Sequence, residues 1–230
     1  SMQTLFSMEK GFVDTLKRFQ DARLFYFALP VRGTPTANGS MPPRYQDYTG
    51  VDEGLTTSQQ ATISPNASYI ATRYYEDPVN EPYVMIGYPE QEFNIAEAIV
   101  RGWISGDASQ YYYNGISGSM KFYGISNDTI SNYLNGPYVK YNPSDALDQI
   151  LTQKYIACFF NSGWIPFFNQ RRTGIPTFDV GPGTLNNGEV PKRWQYPQGE
   201  YDNNNANVTN AVKSQYPDGD NINNIMWLIQ

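Results

Sequence analysis

The chain contains no histidine, which removes the commonest general base, pH switch and transition-metal ligand from its chemistry. Triads built on histidine are therefore excluded. A single cysteine, Cys158, rules out an internal disulfide, and its place in the apolar run Tyr155-Ile156-Ala157-Cys158-Phe159-Phe160 predicts a buried, inert thiol. No stretch approaches the roughly 18 consecutive apolar residues of a membrane span, and no basic-then-apolar leader opens the chain. Ser1-Met2 reads as a remnant of tag cleavage, so the natural start, with any export signal or lipidated cysteine, is expected to lie upstream. Charge is scarce as well, at 17% of residues. Sixteen Lys and Arg against 22 Asp and Glu leave a net charge of -6, a field that repels phosphate backbones and acidic lipid, so nucleic acid is not an expected partner.

Aromatic residues, by contrast, are plentiful: 19 Tyr, 12 Phe and 4 Trp. Aromatic faces beside amide side chains suit sugars, because a pyranose offers an apolar C–H face and a rim of hydroxyls. Most individual tyrosines are nonetheless expected to cover helix faces in the core. With 230 residues, 40% of them hydrophobic, the chain can bury a substantial core in one domain or at most two.

Helical spacing of Met8, Phe12, Val13, Leu16 and Phe19 predicts a first helix over about residues 8–22, capped by Ser7. Residues 33–81 are polar and broken by Gly and Pro, with a β-like run at 69–75. After Pro89, the face Phe93, Ala96, Ile99, Val100 and Trp103 predicts a helix over 89–105, with Glu97 and Arg101 as an i,i+4 pair. Asp107 caps a second helix, 108–123, whose inner face reads Ala108, Tyr111, Tyr112, Gly115, Ile116, Ser119, Met120 and Tyr123. With almost no loop between them the two must pack antiparallel, as an αα-hairpin of the tetratricopeptide-like kind. A third helix opens at Ser144 and stops at Gly163, a short helical turn covers 164–169, and beyond Arg172 the chain is mostly irregular with one helix near 207–215.

Four blocks stand in an order that resembles the SusD/RagB family. They are Tyr88-Pro89-Glu90-Gln91-Glu92-Phe93-Asn94-Ile95-Ala96-Glu97-Ala98; Tyr112-Tyr113-Asn114-Gly115-Ile116-Ser117-Gly118-Ser119-Met120; Gln153-Lys154-Tyr155-Ile156-Ala157 through to Arg171-Arg172-Thr173-Gly174-Ile175-Pro176; and Pro191-Lys192-Arg193-Trp194-Gln195-Tyr196-Pro197 with the Asn203-Asn204-Asn205 stretch. Upstream, Asp21-Ala22-Arg23-Leu24 is also similar to a family segment. The resemblance implies an all-α, SusD-like fold with a tetratricopeptide-like helix hairpin and long irregular loops. It implies that residues 1–230 are the C-terminal portion of a single SusD-like domain whose N-terminal half is not in this chain. It further implies a non-catalytic, cell-surface outer-membrane lipoprotein that captures an oligosaccharide or other nutrient and delivers it to a SusC-like TonB-dependent transporter. Contact with the membrane would then run only through a lipid anchor in the missing N-terminal region. No cofactor and no metal are expected.

The long loop supplies the candidate ligand-binding residues: Arg44, Tyr45, Tyr48, Tyr69, Arg73, Tyr74 and Tyr75. Aromatic rings and planar donors on a loop braced by helices are a usual way to build a carbohydrate face, although a scaffold role for the run 69–75 stays open. Arg171 and Arg172 could grip an acidic sugar, but a structural role, capping helix carbonyls or pairing with a carboxylate, is the expected one. Two other functions stand beside glycan binding: a helical protein-interaction scaffold, and a hydrolase using a carboxylate pair such as Glu200 with Asp202 or Asp218 with Asp220. Such i,i+2 acids in Asn/Gly-rich loops are more often turn formers, and Asp218-Gly219-Asp220-Asn221 lacks the full spacing of a calcium loop.

Overall fold

The computed structural model describes residues 6–77, 79 and 81–229. Ser1 and Met2, read above as a tag remnant, lie outside them. Among the described residues there is no strand. Three isolated bridges, Ser7 to Tyr69, Glu9 to Val51 and Ala28 to Ile70, tie the N-terminal segment to the long loop, and the rest is helix and irregular chain.

The first helix, α1 (Lys10–Phe19), is capped by Glu9 rather than Ser7: its carboxylate accepts the Gly11 and Phe12 N–H groups at 2.5 and 2.6 Å. A carboxylate there also faces the positive end of the helix dipole. The helix stops short of the expected residue 22 because Gln20 turns into the left-handed region at φ 56°. A short helix α2 (Leu24–Phe27) follows and buries Leu24 and Phe27. Inside the long loop lies an exposed helix α3 (Thr57–Ile63). The β-like run is not a strand: only Tyr69 and Ile70 form bridges, and Thr72–Tyr74 turn as a 3-10 helix.

The hairpin is formed by α4 (Tyr88–Val100) and α5 (Ala108–Phe122). Three close approaches give its sense: a Cβ on Gly118 would meet Tyr88, one on Gly115 would meet the Phe93 ring at 2.7 Å, and one on Gly106 would meet Ile99. Late positions of α5 thus face early positions of α4, so the pair is antiparallel. The connection is longer than expected, because α4 ends at Val100 and Gly102, at φ 73°, turns the chain away. Trp103 therefore leaves the helix and is exposed, and the buried side of α4 is Glu92, Phe93, Ala96 and Glu97. The expected Glu97–Arg101 pair forms at 2.7 Å. Arg172, from a helix further along the chain, joins the same carboxylate with N···O distances of 2.6 and 2.9 Å.

Helix α6 (Asn127–Leu134) is capped by Ser126 and buries Ile130 and Tyr133. A 3-10 turn, Pro143–Asp145, leads into α7 (Ala146–Ala157), which packs on α4 and α5. Pro166 sits in the first turn of α8 (Ile165–Thr173), where its missing N–H costs nothing, and Gly174 ends the helix in the left-handed region. This helix runs past the expected residue 169 and carries both Arg171 and Arg172. Two short helices, α9 (Gln198–Asn203) and α10 (Asn205–Gln215), complete the chain, α10 being the one expected near 207–215.

Polar groups as well as apolar ones hold the centre. Arg23, fully buried, donates to Asp21 at 2.9 Å, to Ser119 of α5 at 3.0 Å and to Gln153 of α7 at 2.8 Å. Tyr133 of α6 donates its hydroxyl to Asp21 at 2.7 Å and accepts from Gln153 at 2.8 Å. Four parts of the fold meet at this one ion pair. Around it pack Val13, Leu16, Phe27, Phe93, Tyr112, Ile116, Met120 and Ile150.

Candidate functional site

Where α7 gives out, residues 158–163 make a tight turn in which Phe160, Ser162 and Gly163 all adopt left-handed backbone angles, φ 57°, 62° and 52°. For a bulky residue such as phenylalanine that conformation costs on the order of 1 kcal/mol or more and persists only where the surroundings enforce it. They do so here. The Val84 N–H donates to the Asn161 side chain at 3.2 Å, the Asn161 N–H donates to the Cys158 carbonyl at 2.9 Å, and the Ser162 hydroxyl donates to Glu90 at 2.9 Å. The consequence is an exposed ring: Phe160 is 53% accessible and rests on Tyr74 and Phe159, with centroids 4.9 and 5.1 Å away.

Phe160 edges a groove of about 530 Å³ whose rim also carries Phe6, Ser7, Tyr83 and Asn161 and whose floor includes Met8, Ile70 and Phe159. Tyr83 is 68% exposed. The one carboxylate on the lining, Glu9, is committed to capping α1. The Cys158 thiol, also on the lining, is pushed up to about 11 by burial, which outweighs the hydrogen bond with Ser162. The groove is thus aromatic, carries the Asn161 amide, and has no carboxylate beyond Glu9 on its lining. A second cavity of about 430 Å³ opens on the other side of Asn161, between Tyr88, Phe122 and Tyr123.

The seven residues proposed from the sequence fall into two groups. Arg44 is paired with Asp47 at 2.9 Å, and the Asp47 carboxyl is held low by hydrogen bonds from Thr36 and then Arg44. Tyr45 and Tyr48 lie tilted against Phe25, with centroids 4.7 and 5.5 Å away. Tyr48 is only 2% exposed, its hydroxyl pushed up to about 12 by burial and by Asp47, and Tyr69 is buried too. Tyr48 and Tyr69 thus turn little surface outward, whereas Tyr45 is half-buried.

The second group lies at the groove end of the loop. Arg73 is paired with Glu81 at 2.7 Å, and its guanidinium lies 4.9 Å from the centre of the Tyr123 ring. Tyr74 supports Phe160, and Tyr75 packs against the core with its buried hydroxyl lacking a partner among the described residues. Phe160, Tyr83 and Asn161 were not foreseen. The signal for them is Phe159-Phe160-Asn161-Ser162-Gly163: two adjacent aromatics at a helix end cannot both face the core, and the three residues that follow are turn formers.

Neither candidate carboxylate pair is part of the groove lining. Glu200 accepts from Asn204 and Asp202 from Gln198. Asp220 is engaged by Arg193, by the Tyr201 hydroxyl at 2.7 Å and by the Tyr196 N–H at 2.9 Å. Burial raises its pKa, but these bonds outweigh it and hold the carboxyl below its usual range.

Comparison with known proteins agrees with this architecture. Residues 1–197 match the family model SusD-like_2, described as starch-binding and associating with the outer membrane. A SusD homologue from Bacteroides fragilis superposes with a TM-score of 0.86 at 34% identity, over 96% of this chain and 51% of that one. A second from the same species gives 0.85 at 32% identity, over 97% and 52%. A chitin-binding protein gives 0.78 at 27% identity, over 97% of this chain and 50% of that one. The chain therefore spans about half the length of the solved structures it matches. Among curated proteins none matches.

Proposed function

The chain belongs to the SusD-like family of starch-binding, outer-membrane-associated proteins, and from that premise we propose that it binds an oligosaccharide without transforming it. The observation that carries the reading is the Phe160 ring, held exposed by a left-handed backbone at the edge of an aromatic groove that also carries the Asn161 amide. A sugar ring laid on Phe160 would place its C–H face on the aromatic and its hydroxyls within reach of Asn161 and Tyr83. The whole protein, in this reading, sits at the cell surface as a lipoprotein and passes its ligand to a SusC-like TonB-dependent transporter.

Isothermal titration with malto-oligosaccharides and chito-oligosaccharides tests the site. Binding by the chain that weakens by about 1 kcal/mol or more in Phe160→Ala or Tyr83→Ala is the expected result. Undiminished binding in both variants would move the site elsewhere. A scaffold reading draws on a different observation, the exposed side chains of Val79, Met85 and Ile86 on the segment before α4. It would be favoured if Met85→Ser with Ile86→Ser abolished capture of a protein partner while sugar binding was absent from the start.

A further inference from the structure

Past Gly163 the chain builds a second aromatic feature, separate from the groove. Trp164 at the start of α8 and Trp194 stand at 87° to each other with centroids 5.4 Å apart, and they remain 64% and 53% exposed. Phe167 and Phe168 meet Trp194 at 5.7 and 5.8 Å and complete the corner. Into it points Arg171, whose guanidinium carbon lies 5.5 Å from the Phe167 ring centre and 5.7 Å from those of Phe168 and Trp194.

The three arginines of this region differ in one respect. Arg172 is paired with Glu97 and Arg193 with Asp220, whereas Arg171 has no carboxylate among the described residues. Its terminal nitrogen reaches only the Met226 sulfur, at 3.2 Å, a weak acceptor, and its Nε is buried without a partner. Burial works against the charge of this group, and no anion among the described residues offsets that. The outer nitrogens of this guanidinium, without a carboxylate among the described residues and beside the exposed Trp194 ring, are chemically complementary to a sugar that carries a carboxylate.

We propose that the Trp164–Trp194–Arg171 corner is a second saccharide subsite, selective for an anionic sugar of the uronate class. The pyranose C–H face stacks on an indole while the carboxylate takes the free donors of Arg171. The inference rests on the glycan-binding reading of the chain and adds a ligand charge to it. The net charge of -6 does not oppose it at contact range, since physiological salt screens distant charges beyond about 8 Å.

The test uses the chain with 15N-labelled indoles, whose 4 tryptophans give separate N–H resonances assignable by single substitution. Trigalacturonate and a glucuronate-containing oligosaccharide are titrated, with the methyl ester of the former and maltotriose as neutral controls. Expected are shifts of the Trp164 and Trp194 signals that saturate with at least one uronate at about tenfold lower concentration than with its neutral counterpart, the scale of a charge-assisted contact. Arg171→Gln should abolish that preference and Arg171→Lys should keep part of it, which separates charge recognition from loss of packing. Equal response to acid and ester, a preference that survives Arg171→Gln, or silence of both indoles with both uronates would each overturn the proposal. The Phe160→Ala variant keeps this outcome distinct from failure of the parent reading: the corner should respond as before in that variant. Malto- and chito-oligosaccharide binding at the groove with a silent corner would overturn the subsite alone.

Discussion

Arg23 and Phe160 illustrate opposite uses of a side chain. The first is a charge sealed in the core, tolerable only because Asp21, Ser119, Tyr133 and Gln153 satisfy it. Removing one member of a buried ion pair strands the other, so Arg23→Ala is expected to cost about 3–5 kcal/mol, read from urea unfolding. A loss under 1 kcal/mol would show that water replaces the guanidinium. Phe160 is the reverse case, an apolar ring spent on the surface. Phe160→Ala should leave stability nearly unchanged, whereas Tyr48→Ala, at a buried ring on Phe25, should lower it by roughly 3 kcal/mol. The sequence could single out neither role. Arg23 lies 96 and 130 residues from Ser119 and Gln153, so no local pattern announces the network. Tyr45, Tyr48 and Tyr74 look alike along the chain, and only tertiary packing, against Phe25 for the first two and against Phe159 and Phe160 for the third, distinguishes them.

At the level of elements, α5 was legible almost to the residue, since Asp107 caps it and its inner face is unbroken from Tyr112 to Met120. The end of α4 was not, because the glycine at 102 competes with a helical pattern that continues to Trp103. Helices α2, α3, α6 and α9 were missed: they are short, and α3 and α9 bury nothing. The β-like composition of 69–75 lost to its neighbours, since among the described residues no strand lies beside it to pair it. The close contact of the hairpin makes Gly115→Leu expected to destabilise by about 1–3 kcal/mol, because even its Cβ would meet the Phe93 ring at 2.7 Å. An unchanged melting temperature would refute that contact. Glu97 joins α4 to α8 and titrates low: burial raises its pKa, but hydrogen bonds from Arg172 and Arg101 outweigh this and hold it below its ordinary 4.5. A depressed carboxyl stabilises above the unfolded pKa and loses that contribution as pH falls through the folded one. Thermal unfolding below pH 4.5 should therefore drop more steeply in the parent than in Glu97→Gln, which should itself be less stable at neutral pH. Parallel pH profiles would show that the carboxylate contributes nothing through its ionisation.

For the whole molecule, fold class and family were readable early because they rest on the order of several blocks, which survives errors in any helix boundary. The site was less readable because it is assembled from Phe6, Tyr83 and Phe160, far apart in sequence and joined only by packing. This chain covers 51% of the length of the Bacteroides fragilis homologue. On the face before α4, Val79, Tyr83, Met85 and Ile86 are exposed together, an unusual concentration of apolar groups within eight positions. If the additional length found in the relatives borders this face, it would also wall the groove, since Tyr83 belongs to both. A protein extended to the relatives' length should then bind the same oligosaccharide more tightly than this chain, with Tyr83 and Phe160 contributing in each. Titration of both proteins, each with and without Phe160→Ala, measures this. Tighter binding in the longer protein that still falls on Phe160→Ala would mean that the groove is one wall of a shared site. Equal affinity would place the complete site within these 230 residues, and tight binding indifferent to Phe160→Ala would assign recognition to the added length.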